Sequence, residues 1–205
     1  MTLSRRHALA AAAAAALAFG LAGCERRPPP HHFNSIDLSG AKYARGFDLP
    51  DFDGRRRTLG EFKDKVVAVF FGYTQCPDAC PTTMAAFSAV EKALGPQASK
   101  LQVIFITVDP ARDTAALLKN YVTNFNPGFL ALRGDDAQTK AVTAEYKVFY
   151  EKVPGPTPDS YTMDHTAGTY IYDPQGRLRL FAPQGLSPEQ FTADIQALLA
   201  EPADA

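Results

Sequence analysis

Three cysteines are present in 205 residues, and two of them, Cys76 and Cys80, stand four positions apart in Gly72-Tyr73-Thr74-Gln75-Cys76-Pro77-Asp78-Ala79-Cys80-Pro81. This spacing permits three chemistries. A short structural disulfide is one, although so small a loop gains little from the restricted unfolded chain. Thiol–disulfide exchange is the second, and on scaffolds built for it two residues usually separate the sulfurs. Metal binding is the third: three intervening residues widen the bite and leave room for an ion between two soft thiolates, which select Cu(I) or Zn over harder cations. A closed structural zinc site takes four protein ligands, so a third donor has to be sought elsewhere. A peroxidase of the peroxiredoxin type is ruled against, because the Thr or Ser expected three residues before the reactive cysteine is replaced by Tyr73 before Cys76 and by Pro77 before Cys80.

The elements around the pair must place it. Val66 to Phe71 and Leu101 to Val108 are continuous apolar runs, the pattern of strands buried on both faces. Between them Met84, Phe87, Val90 and Leu94 recur at helical spacing, and Gly95-Pro96 ends the helix. Cys80 is therefore expected at the helix cap with Pro81 as first helical residue, where the helix dipole and free backbone N–H groups favour thiolate. Asp113 reads as the cap of a helix to about Asn124, Phe129 to Leu132 as a short strand, and Asp135 or Asp136 as the cap of a helix to about Tyr146. Phe149 to Val153, Thr169 to Tyr172 and Arg177 to Phe181 read as strands, the last two joined by the turn Asp173-Pro174-Gln175-Gly176. Ser187-Pro188-Glu189-Gln190 opens a final helix with a capping box. Ahead of all this, Asp53-Gly54 marks a hairpin between Phe47 to Pro50 and Thr58-Leu59. The order predicts an α/β fold: a thioredoxin-like sandwich with an N-terminal β-hairpin and an inserted helix–strand element. Such a scaffold hosts reductases, peroxidases and carriers alike, so the site must decide function.

In that topology the loop entering the Thr169 strand lies beside the strand–helix junction that bears the cysteines, which makes His165 the candidate third ligand. His7, His31 and His32 fall outside the expected folded domain. Asp164 is a candidate hydrogen-bond acceptor orienting His165, and Asp78 a candidate organiser of the cysteine loop. Arg112 reads as a residue that fixes a loop or faces solvent.

The chain ends carry a different message. Arg5 and Arg6 precede the apolar stretch Ala8 to Leu21, too short to span a bilayer and suited to an export signal, with a twin-arginine route as the alternative to the general one. The stretch closes in Leu21-Ala22-Gly23-Cys24, which resembles a bacterial lipobox and makes Cys24 the expected lipid-bearing residue. The expected organisation is a signal over residues 1–23, a lipidated cysteine and flexible tether over 24–44, a folded domain over 45–200 and a tail over 201–205. Removing the signal's two arginines takes the formal charge from -1 to about −3, and no basic run interleaves with aromatics, so nucleic acid is not an expected partner.

Three separated motifs then resemble one family. Phe70 to Thr82 with its cysteines, Val108-Asp109-Pro110-Ala111-Arg112-Asp113-Thr114, and Asp164-His165-Thr166 with Tyr170 to Gly176 are similar to the Sco/SenC copper proteins over roughly Gly46 to Leu199. The resemblance implies a membrane-tethered, thioredoxin-like copper chaperone that helps assemble the dinuclear copper centre of cytochrome c oxidase. Cys76, Cys80 and His165 match its copper ligands. The implied cargo is copper as Cu(I), with Cu(II) as the other valence, and the implied partners are the oxidase's copper-bearing subunit and other copper carriers. The implied location is a bacterial membrane, with the domain on the periplasmic or extracytoplasmic side. The chain differs from many relatives in using a lipid anchor instead of a membrane helix, and in having Gln75 where His is common. An exported thiol–disulfide oxidoreductase or redox sensor built on the Cys76–Cys80 pair is the alternative function.

Overall fold

The computed structural model describes residues 32–157 and 160–202. The export signal and Cys24 lie outside the described residues, and among those described no helix is long and apolar enough to cross a membrane. The central sheet has six strands in the order β1-β10-β9-β4-β5-β6. Its middle is made by β4 (Val66–Gly72) and β5 (Leu101–Thr107), in which every residue is buried, as expected of parallel strands covered on both faces. They run parallel to each other and to β6 (Leu130–Leu132). Antiparallel to β4 lies β9 (Gly168–Tyr172), followed outward by β10 (Leu178–Pro183) and by the two-residue edge strand β1 (Ile36–Asp37).

Alternation along the central strands sends successive side chains to opposite layers. Val66, Ala68 and Phe70 face a layer with α1 (Ala79–Leu94), α2 (Ala115–Phe125) and α4 (Pro188–Ala200). Val67, Val69 and Phe71 face the other layer, built from α3 (Asp136–Tyr146) and the N-terminal hairpin β2 (Asp48–Pro50) and β3 (Arg56–Thr58). Gly54, in the turn of that hairpin, has φ +78, a conformation glycine adopts without strain. Met84, Phe87 and Val90 of α1 are fully buried, each contributing about 1.5–3 kcal/mol of apolar burial. This is the sandwich with N-terminal hairpin and inserted helix–strand element that the element order predicts.

Four features differ from the sequence reading. The helix after the cysteines begins at Ala79, with Asp78 in the cap position, so Cys80 lies inside the first turn. Pro81 follows it there, where a missing N–H breaks no bond. Asp113 does not cap α2: Thr114 does, accepting from the Leu117 N–H, and Asp113 turns inward. The segment containing His165 is a strand, β8 (Tyr161–His165), paired with β7 (Tyr150–Pro154) in a separate two-stranded ribbon. Finally, the expected tether does not extend to residue 44. From Asn34 the chain is docked: the buried Asp194 carboxylate of α4 accepts from the backbone N–H of Asn34 and Ser35 and from the Ser35 hydroxyl at 2.6–2.9 Å, and Ala44 is fully buried. A buried carboxylate must fill its lone pairs, and these two residues fill them.

Candidate metal centre

The two central parallel strands end side by side, with Gly72 opposite Thr107. The chain leaves β4 there, passes through Tyr73 to Asp78 and enters α1, so the cysteines sit at the carboxyl end of the sheet, where α/β folds form their binding crevices. Cys80 is buried and Cys76 is half-buried. The Cys80 N–H points to Cys76 Sγ at 3.4 Å.

Gly72 is what lets the helix come this close. A Cβ on it would lie 2.6 Å from Cys80 Sγ and 2.9 Å from the Phe105 ring. Asp113 fixes the other side of the loop: it accepts the Thr74 hydroxyl at 2.6 Å and the Thr107 hydroxyl at 2.5 Å, and faces the Thr74 N–H at 3.2 Å. It is fully buried, and desolvation raises its pKa above the ordinary carboxylate value against these hydrogen bonds. The loop is thereby tied to the ends of β4 and β5.

His165 reaches the same place from the ribbon. Its Nε2 lies 3.9 Å from Cys80 Sγ, and the sulfurs and an imidazole nitrogen all fall within 4.8 Å of one another. Its Nδ1 is 3.1 Å from the Thr166 carbonyl oxygen. A carbonyl can only accept, so Nδ1 carries the proton and the Nε2 lone pair is left facing the sulfurs. The Tyr73 ring stands edge-on to the imidazole at 6.0 Å.

Of the two carboxylates expected nearby, Asp164 does not face the imidazole, whereas Asp78 sits in the cysteine loop at the cap position of α1. Asp164 is exposed and pairs in register with Glu151, and alternation along β8 turns it away from the His165 side. The acceptor that orients the imidazole is the Thr166 carbonyl. The Asp78 carboxylate accepts the Thr82 hydroxyl at 3.3 Å, and its contribution to the sulfurs is its backbone N–H, aimed at Cys76. Gly72, Thr74 and Thr166 were not legible as site residues: a glycine after a strand and two threonines carry no chemical signature.

Electrostatics divide the two sulfurs. A hydrogen bond from the Cys80 thiol is the strongest influence on Cys76; against the cost of burial, the backbone N–H groups of Asp78 and Cys80 act the same way and pull its pKa far below the usual thiol value. Cys80 is pushed up, first by that same shared proton and then by burial. The metal-free pair therefore holds one proton between two sulfurs, with the negative charge on the more exposed one.

The donor set fits a soft monovalent ion. Ligands at about 2.0–2.3 Å from a common ion, the range of zinc bonds to imidazole and thiolate, lie about 3.5–4 Å apart in a trigonal plane, close to the spacing of the His165 nitrogen and the Cys80 sulfur. Among the described residues these three are the one group of His, Cys, Asp or Glu donors close enough to share an ion, which leaves a closed four-ligand zinc site one donor short.

Comparison with known proteins agrees with this geometry. The SCO1/SenC family model matches residues 37–200. The chain belongs to the SCO1/SenC family. A SCO2-like protein of Rickettsia felis is 37% identical over 137 residues, covering 66% of this chain and 67% of that protein. Among solved structures, Bradyrhizobium japonicum ScoI with copper bound is 42% identical with TM-score 0.68, covering 75% of this chain and 97% of that one. Yeast Sco1 with copper bound is 29% identical with TM-score 0.69, covering 78% and 90%. This SCO1/SenC chain shares their fold over the domain that carries the two cysteines and the histidine.

Proposed function

We propose that the protein is a copper carrier, holding Cu(I) on Cys76, Cys80 and His165 and passing it to the dinuclear copper centre of a cytochrome c oxidase. The observation that carries this reading is the convergence of two sulfurs and one imidazole nitrogen within 4.8 Å at the carboxyl end of the sheet. Two thiolates and an imidazole suit Cu(I) and leave its coordination open on one side. Loading releases the shared proton, so uptake is linked to pH.

Transfer follows from the asymmetry of the sulfurs. Cys80 is enclosed by the core, whereas Cys76 is half-buried, so an acceptor thiolate enters beside Cys76, and the bond to Cys76 is the first to be exchanged. Copper then moves by successive ligand replacement with no change of valence. The same dithiol, with its charge on the accessible sulfur, is also placed to reduce a disulfide on the acceptor. This second reading rests on the lowered Cys76 pKa and complements the first. A lipid on Cys24 of the exported chain would hold the domain at a bacterial membrane, on the side where the acceptor subunit presents its copper site.

The test is stoichiometric. Reduced protein lacking residues before Cys24 should bind one Cu(I) per chain, with X-ray absorption showing two sulfurs and one nitrogen around copper. It should then lose that copper to the reduced copper-bearing subunit of an oxidase. Absence of stoichiometric copper would overturn the carrier reading and leave the oxidoreductase one.

A further inference from the structure

The main sheet and α1 fix the sulfurs, but His165 rides on a ribbon whose strands pair only with each other. Something has to hold that ribbon at the right distance from the cysteine loop. Arg112 touches both. Its Nη1 donates to the Gln75 side-chain oxygen at 3.1 Å and to the Tyr161 carbonyl at 2.8 Å. Gln75 precedes Cys76, and Tyr161 opens the strand that ends at His165. The guanidinium lies over the Tyr161 ring, 3.5 Å from its centroid, and 5.6 Å from the Tyr73 centroid. Its Nε is paired with the Asp109 carboxylate, which also accepts the Tyr161 hydroxyl at 2.9 Å.

We propose that Arg112 is a positioning residue for the third copper ligand: it clamps the ribbon to the cysteine loop and so sets the distance between His165 and the sulfurs. The inference rests on the copper reading above for its significance, though not for its geometry. Two features support a positional role over a space-filling one. Arg112 is mostly buried, with 18% of its side chain exposed, and its Nη2 has no partner among the described residues. A buried unfilled donor costs stability that an apolar residue of similar size would not. Moreover, the planar fork is used in three directions, toward Asp109, Gln75 and the Tyr161 carbonyl. A lysine, with one compact charged head, cannot reproduce that set.

The decisive experiment is a double-mutant cycle with Arg112→Lys and His165→Ala, read by competition for Cu(I) with a chromophoric chelator. Arg112→Lys alone should weaken binding about tenfold, within the range for residues that orient metal ligands. In the His165→Ala background it should cost nothing further, because the ligand through which it acts is gone. An equal loss in both backgrounds would mean that Arg112 merely supports the cysteine junction, and no loss in either would mean that the ribbon is held without it; each result overturns the proposal. A metal-free readout separates this from the carrier reading. In reduced apo protein, the ring resonances of His165 should shift and broaden in Arg112→Lys, and unchanged resonances would overturn the clamp even if the wild type bound no copper. Should Arg112→Lys fail to fold, Gln75→Ala removes one contact of the clamp at an exposed position and should show the same dependence on His165 at smaller amplitude; equal loss with and without His165, or none, would again overturn the clamp.

Discussion

The two halves of the metal centre are built in opposite ways. The strand leading to the cysteines is buried at every residue, and the helix that follows packs Cys80, Met84, Phe87 and Val90 into the core. The ribbon leading to His165 has no buried residue in β7 and one, Met163, in β8. The sulfurs are therefore placed by the same packing that makes the domain stable, whereas the imidazole is placed by a few contacts at the periphery. Regions with little buried apolar surface open more readily than the core. A carrier gains from this division: two donors hold the cargo in a fixed frame, and the third can yield when an acceptor arrives.

Replacing one donor from each half tests the comparison most strongly. Cys80→Ser should reduce Cu(I) affinity by more than the roughly 10–100-fold typical of changes beyond the ligands themselves, and should also destabilise the apo domain by about 1–3 kcal/mol, because it puts a hydroxyl into an apolar site. His165→Ala should weaken copper binding by on the order of 10–100-fold yet change apo stability by no more than about 0.5 kcal/mol. Urea unfolding and chelator competition on both variants would show the two properties coupled at the sulfur and separated at the imidazole. Equal losses of stability would break the comparison.

Gly72 sharpens the same point from outside the ligand set. A methyl group there would press on the Cys80 sulfur and the Phe105 ring, and neither is the free end of a flexible chain. Gly72→Ala should cost about 1–3 kcal/mol of stability, the usual penalty of overpacking, and should reduce copper affinity severalfold by shifting Cys80 relative to Cys76. Wild-type values in both measurements would show that the sulfur frame is softer than its packing implies.

What the sequence revealed follows the same division. The buried half announced itself: apolar runs gave β4 and β5, helical periodicity gave α1, and the paired cysteines between them marked the site. His165 was reachable because the element order brings its segment back beside that junction. Its immediate environment was not legible. A five-residue strand with exposed residues on either side of Met163 reads as loop, so the alternation that turns Asp164 away from His165 was invisible, and a backbone carbonyl such as that of Thr166 has no sequence signature. Asp113 reads as the cap of α2 but stands one residue before Thr114, which does cap it; the burial of Asp113 against Thr74 and Thr107 could not be seen in the local pattern. The docking of Asn34 and Ser35 depends on Asp194, 160 and 159 positions away, a distance over which local pattern carries no information. Polar residues after a proline run look like tether unless the partner carboxylate is known.

The smallest effect is expected outside the metal centre, where Arg45 grips Glu145 at the end of α3. The Arg45 Nε and backbone N–H both lie 2.9 Å from Glu145 Oε1, and Nη2 lies 3.0 Å from Oε2. The guanidinium hydrogen bond first, and the backbone N–H next, lower the Glu145 carboxyl to about 2 from its ordinary 4.5. A folded-state pKa below the unfolded value means that the carboxylate stabilises the fold above about pH 4.5, and that this contribution drains away as pH falls from there toward 2. Because Arg45 is exposed, water and salt screen the pair, and its effect on stability should be slight. Arg45→Met should therefore lower the unfolding midpoint a little at pH 7 and low salt. The difference from wild type should shrink between pH 5 and pH 3, shrink again in high salt, and leave Cu(I) affinity unaltered throughout. A midpoint difference that grew as the solution was acidified would reverse the sign of the argument. A change in copper affinity would show that the layer of α3 and the N-terminal hairpin, and not only the cysteine junction and the ribbon, helps to set the metal centre.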